Sequence, residues 1–223
     1  MMMKAALIVL TATGLAYSQA AVEANKRYQT EEGRSGIAKT LDDPHRDERQ
    51  KPAELVAALR LKHGQSVADI GTGTGYMLPY LSKAVGSAGK VYAEDIFADF
   101  LAKARARASQ RHLKNVDFVK GNERTTNLQA NTLDVIMILD AYHHFNYPAE
   151  MLASISKGLK ANGRLVIIDF YKTANAMPNG NAVEHIRLSF EDMVKEVESN
   201  GFHFEEKKEQ IPDSQYMAIF TKK

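Results

Sequence analysis

The stretch Val67-Ala68-Asp69-Ile70-Gly71-Thr72-Gly73-Thr74-Gly75 constrains this chain more than any other. An apolar run breaks into three glycines at alternate positions, and an amphipathic segment follows from Tyr76. That order spells a strand, a tight loop and the start of a helix. Glycines there let the backbone turn sharply and let a ligand rest directly on the main chain. The spacing is GxGxG, not the GxGxxG of dinucleotide-binding turns, which disfavours a nicotinamide-dependent oxidoreductase.

From this loop onward the chain alternates. Strands are predicted over residues 66–70, 90–95, 116–120, 133–140 and 164–171. The runs 135–139 and 165–168 are continuously apolar, as expected of strands covered on both faces. Helices are predicted between them, over 76–85, 97–111 and 148–159. The helix after Asp95 places Phe97, Phe100, Leu101, Ala104 and Ala108 on one face. Ser189 to Asp192 reads as a capping box opening a last helix that stops before Gly201. Strand–helix alternation implies parallel βαβ units with right-handed crossovers. The tail differs: strands over 202–210 and 215–222 are separated by four residues, too few for a parallel crossover, so they pair as an antiparallel hairpin.

The chain has 223 residues, 44% of them hydrophobic, enough for one well-buried domain. It has no cysteine, which excludes disulfides, thiolate metal sites, iron–sulfur clusters and cysteine nucleophiles. Its 29 basic and 27 acidic residues leave a net charge of +2, which argues against nucleic acid as a partner. Lys103, Arg105, Arg107, Arg111 and Lys114 accordingly read as a solvated helix face.

Lys4, the uncharged stretch 5–16 and the small residues Ser18 and Ala20 match a secretory signal cleaved after Ala20. That predicts export to a periplasmic or extracellular location. The alternative is an apolar N-terminal helix on a cytoplasmic protein. The stretch is too short for stable membrane insertion. The expected organisation is a signal over 1–20, a helical lid segment over 21–51 and the main domain over 52–223. In the lid, 21–32 reads as a helix ending at Gly33, and 42–47 as a loop. Pro52 then opens a helix to about Leu61.

In an open α/β sheet, ligands bind beyond the carboxyl ends of the strands, and a carboxylate about 20 residues past the glycine loop accepts ribose hydroxyls. Asp95 stands there, with Glu94 as its neighbour. On these residues, on Gly89 to Asp95, Leu133 to Ile136 and Leu159 to Ile167, and on the closing hairpin, the chain resembles class I S-adenosylmethionine-dependent methyltransferases of the small-molecule type. The resemblance runs from about His45 to the C-terminus. It implies a Rossmann-like three-layer sandwich around a mostly parallel seven-stranded sheet. By position it implies that Asp69 and Gly71 hold the methionine end of the cofactor and that Gly73 and Gly75 keep the loop flat against it. It further implies Asp95 on the ribose, Ile96 on the adenine, and Asp140 facing the methionine amino group or the substrate. Asn122 stands where the family often has an Asp toward the adenine amino group. Ala161-Asn162 replaces the usual proline and glycine before the fifth strand. The implied activity is methyl transfer to a small acceptor, aromatic or lipophilic. An exported ligand-binding protein on the same fold, without turnover, is the alternative that the signal-like start suggests.

Candidates for the chemistry follow the fourth and fifth strands. Asp140, His143 and His144 are the catalytic candidates: one histidine acts as general base, or the pair orients a loop by hydrogen bonding. Tyr142, Asp169 and Tyr171 are the substrate candidates, with Phe145 and Tyr147 completing an aromatic wall. Tyr28, Arg34, His45 and Arg46 belong to the lid. No metal is expected: side chains of neighbours such as His143 and His144 diverge on an extended segment and rarely join His185 on one ion.

Overall fold

The computed structural model describes residues 21–223, so the expected signal at 1–20 lies outside the described residues. Seven strands form one sheet: β1 (Ser66–Ile70), β2 (Lys90–Asp95), β3 (Val116–Lys120), β4 (Leu133–Leu139), β5 (Leu159–Phe170), β6 (Phe202–Ile211) and β7 (Gln215–Lys222). Their order is β3-β2-β1-β4-β5-β7-β6. The first five pair in parallel, and β7 is antiparallel to both β5 and β6. The expected α/β sandwich with its closing hairpin is therefore present.

Strand alternation builds two cores. On β4, Ile136 and Ile138 face one side, while Val135, Met137 and Leu139 face the other. Helix α6 (Pro148–Gly158) covers the first side with Met151, Leu152 and Ile155, joined by Met193 and Val197 of α8 (Phe190–Ser199). The second side receives Leu55 of α3 (Pro52–Ala58), Leu78, Leu81 and Val85 of α4 (Leu78–Val85), and Ala104 of α5 (Ala98–Gln110). Full burial of each Leu, Ile or Val stabilises the platform by roughly 1.5–3 kcal/mol. The capping box forms as expected: Ser189 Oγ accepts from Asp192 N at 3.1 Å.

Several boundaries differ for physical reasons. β5 starts at Leu159, but its register jumps from Leu133↔Leu159 to Val135↔Arg164, so the expected turn over 159–163 is a bulge inside the strand. The lid helix does not end at Gly33. A 3-10 turn, Lys26–Gln29, stops at Thr30, whose side chain caps α1 (Glu31–Leu41) by accepting from Gly33 N. Gly33 sits inside α1, where a Cβ would lie 2.0 Å from the Arg27 carbonyl oxygen, so the position requires glycine. The expected 42–47 loop shortens, since α2 (Arg46–Gln50) takes up Arg46 and Asp47. A four-residue helix, α7 (Ala182–His185), follows the 173–181 loop without any periodic signal. Among the described residues no helix is long and apolar enough to cross a membrane.

The sheet order reverses between β1 and β4. That crevice, at the carboxyl ends of β1, β2 and β4, is where an open α/β sheet binds ligands. The segment 21–50 lies across it.

Candidate active site

The glycine loop leaves β1 with all three glycines in the left-handed region: φ is +70° at Gly71, +55° at Gly73 and +79° at Gly75. A side chain at these positions would be strained and would meet neighbours. The Cβ added at Gly71 would lie 2.8 Å from Ala141 Cβ, and at Gly75 it would lie 3.0 Å from Ala104 Cα. Gly71 and Gly73 line the crevice. Gly75 does not: it is the close-approach point of α5, so its part is packing. Thr72 closes the loop by donating to Asp69 Oδ2 at 2.8 Å through its hydroxyl and to the Glu94 carbonyl at 2.9 Å through its N–H.

Five acids line the crevice: Asp69, Glu94, Asp95, Glu123 and Asp140. Asp95 accepts from Gly73 N and from Phe97 N, each at 2.9 Å, one per carboxylate oxygen. Each oxygen keeps lone-pair capacity for another donor. Burial raises Asp95 to about 6, against the pull of those N–H groups. Asp69 rises to about 7 through burial. Asp140, at φ +53°, accepts from Gln215 Nε2 at 2.7 Å and rises to about 8, through burial first and the Asp169 charge second. Glu94 is pushed well up by burial, and its Oε1 has no hydrogen-bond partner among the described residues. Arg46 enters from the lid as a partial counter-charge to Asp140 and Asp69.

The lid is tied down at many points. Asp42 accepts from Thr74 of the glycine loop at 2.6 Å and pairs with Arg107 of α5. Asp47 accepts from Tyr76 and Tyr80, and Arg34 pairs with Asp99 at 2.6 Å. Gln50 donates to Gln215 at 2.8 Å, so a chain of amides runs from α2 to Asp140. Tyr28 packs against Phe97, Phe100 and His144, with centroids at 5.9, 6.2 and 4.8 Å. Burial, then the Asp95 and Asp140 charges, push its phenol up to about 12, so it stays neutral.

The cleft brings together Asp69, Gly71, Gly73, Asp95, Ile96, Asp140 and His144 of the expected residues, with Tyr28, Arg46 and Phe145. Others point elsewhere. Asn122 lies outside it, because its Oδ1 accepts from Arg124 N and Thr125 N to hold a turn; the adjoining Glu123 lines the cleft instead. Tyr142 turns into the core and donates to Glu196 at 2.6 Å, since a 3-10 turn, Tyr142–His144, swings it beneath the sheet end. Tyr171 lies against Tyr216 and donates to Glu209 at 2.5 Å. Tyr147 sits under Arg124. Asp169 is buried beside the cleft, where it accepts from His143 Nδ1 at 2.7 Å and His143 N at 3.1 Å. His143 is thus the orienting histidine, and His144 is the one exposed to the cleft. Arg34 and His45 do not line it. The aromatic wall is instead Tyr28, Tyr76, Phe97, Phe100 and Phe145. Phe97 and Phe100 had been legible only as a buried helix face. Asn25, which bonds His144 from 119 positions away, leaves no local signal at all.

The geometry is that of a methyltransferase domain, and the comparisons agree. The chain belongs to the methyltransferase-domain family, whose pattern matches residues 61–217. It is 31% identical to a SAM-dependent methyltransferase from Aquifex aeolicus, with a TM-score of 0.76 over 83% of this chain and 96% of that one. A ubiquinone/menaquinone biosynthesis C-methyltransferase, UbiE, of Stutzerimonas stutzeri is 30% identical over 117 residues, covering 52% of this chain and 46% of that protein. The Marinomonas sp. counterpart is 34% identical over 113 residues, covering 50% and 45%. The matches thus span about half the length of these curated relatives.

S-adenosylmethionine is the cofactor of this fold, and the cleft fits it. Asp95 keeps acceptor capacity for ribose hydroxyls, and Gly71 and Gly73 offer bare backbone. The acids Asp69, Asp140 and Glu94 outnumber Arg46, which suits a ligand carrying an ammonium and a sulfonium.

Proposed function

We propose that the protein transfers the methyl group of S-adenosylmethionine to a small planar acceptor bearing a hydroxylated ring. The observation that carries this reading is the continuity of the cleft: the acid-lined glycine loop opens, under the lid, onto Tyr28, Phe97, Phe100 and Phe145. Aromatic faces bind flat rings and attract a sulfonium through cation–π contact. The likeness to C-methyltransferases of quinone biosynthesis supports a ring acceptor.

The cofactor supplies an electrophilic methyl group, and the residues of this chain orient and shelter the exchange. Asp95 and the loop fix the nucleoside end. Asp69 and Asp140 meet the cationic end. Tyr28 and the lid exclude water. Held there, the cofactor would supply its methyl group to an acceptor lone pair or ring carbon, the electron pair of the broken bond staying with its sulfur. The acceptor proton leaves to solvent, and S-adenosylhomocysteine remains.

Incubation with methyl-labelled S-adenosylmethionine and a panel of phenols, catechols and demethylated quinols tests the proposal. Label in a ring-bearing product is expected. Cofactor binding with no labelled aryl product, or with label on a non-aromatic acceptor, would overturn it.

A further inference from the structure

The 3-10 turn Tyr142–His144 changes what its histidines can do. On an extended segment the two rings would diverge; here their centroids lie 4.1 Å apart. His185 of α7 joins them at 5.0 Å from His143 and 5.3 Å from His144. One ring nitrogen from each of the three falls within 4.8 Å of the others. We propose that His143, His144 and His185 form a divalent-cation site beside the methyl-transfer cleft, taking a late first-row ion of the zinc type on three neutral imidazoles.

The surroundings are those of prepared ligands. His143 donates Nδ1–H to Asp169 Oδ1 at 2.7 Å, and Asp169 is itself held by the N–H groups of His143 and Phe170. His144 donates Nδ1–H to Asn25 Oδ1 at 2.7 Å. Asn25 in turn donates Nδ2–H to the His144 carbonyl at 2.9 Å, which fixes the amide orientation. Both rings are therefore set with the proton on Nδ1 and the lone pair on Nε2. A carboxylate or amide behind a ligating imidazole is the usual device for orienting it and raising its basicity. The His185 ring has no hydrogen-bond partner among the described residues, although it is partly buried against the other two.

The charge balance agrees. Asp169, which is buried, and Asp140, which is half-buried, lie near enough for their charges to repel. The nearby Arg187 is already paired to Glu196. A dication on three neutral ligands would offset the two carboxylates. Imidazole without thiolate suits zinc, copper, nickel and cobalt. Zinc bonds of about 2.0–2.1 Å require nitrogens that lie within 4.8 Å of one another to close to roughly 3.4 Å. Three protein ligands leave a fourth position open. His144 borders the cleft, so that position can take a hydroxyl oxygen of the acceptor and favour its ionised form. This role rests on the methyl-transfer reading; the cation binding does not.

The test uses the full chain, stripped with chelator and titrated with cobalt(II), whose visible absorption reports nitrogen ligation and low coordination number. A parallel titration with S-adenosylhomocysteine is run on every sample. One equivalent of cobalt should bind with intense visible bands and be displaced by zinc. His185→Ala and His144→Gln should each weaken cobalt binding at least tenfold, and Asp169→Asn should weaken it 10–100-fold. His185 sits on a short surface helix, so its variant keeps the core. An unchanged circular dichroism spectrum and unfolding midpoint verify the fold of each variant. The pale spectrum of hydrated cobalt, or wild-type affinity in His185→Ala and His144→Gln, would overturn the site. If S-adenosylhomocysteine binds and cobalt does not, the cation site falls alone. If cobalt binds and the nucleoside does not, the methyl-transfer reading falls and the cation site stands.

Discussion

Asp95 joins the glycine loop to the segment after β2 through one bond from each oxygen. Replacing it with alanine removes both ties and the proposed acceptor for the ribose hydroxyls. Asp95→Ala should therefore weaken S-adenosylmethionine binding at least about tenfold in a calorimetric titration, because a hydrogen bond to a charged group is worth roughly 1.5–3 kcal/mol. Gly75→Ala should act differently. Its φ of +79° and the 3.0 Å approach to Ala104 make the change one of stability, about 1–2 kcal/mol or more by chemical denaturation. At this scale Asp95 and the glycines were legible because strand ends and turn backbone are encoded locally. Asn122 was not: a turn claimed its carbonyl, and no residue-type rule foretells which local donor captures an amide.

Among the elements, β4 shows both what sequence tells and where it stops. Its apolar run reads directly as a doubly covered strand. The exit does not. A left-handed Asp140 and a 3-10 turn decide that Tyr142 goes into the core and His144 into the cleft. Neither conformation leaves a periodic signature. The lid has the same character, since its helices are short and its anchors distant. Asp42 is the anchor shared by Thr74 and Arg107. Asp42→Ala should loosen the lid, speed limited proteolysis within 21–50, and weaken cofactor binding several-fold while leaving the sheet intact. Unchanged cleavage rates would show that the lid is held without this tie.

In the whole molecule, the order β3-β2-β1-β4-β5-β7-β6 gathers buried carboxylates at one crevice. Asp69, Asp140 and Asp169 stand at about 7, 8 and 7, each above the usual carboxylate value of 3.8. The folded chain therefore holds protons that the unfolded chain has released, so these groups make stability fall as pH rises toward their folded values. His143 and His144 act in the opposite sense, but only below about 6.5, where the unfolded rings gain protons. Between about pH 6.5 and 8.5 the ligand-free protein should lose thermal stability, seen as a falling Tm. The cationic cofactor favours the ionised carboxylates, so its binding near pH 7 should release protons, measurable by calorimetry in buffers of different ionisation enthalpy.

The central claim is that the cleft of Gly71, Gly73 and Asp95 cradles the methyl donor. A crystal structure of the chain grown with S-adenosylhomocysteine tests it most directly. The account predicts ribose hydroxyls on Asp95 and the amino-acid end of the ligand toward Asp69 and Asp140, beneath Tyr28. A ligand bound elsewhere, or none at saturating concentration, would contradict it.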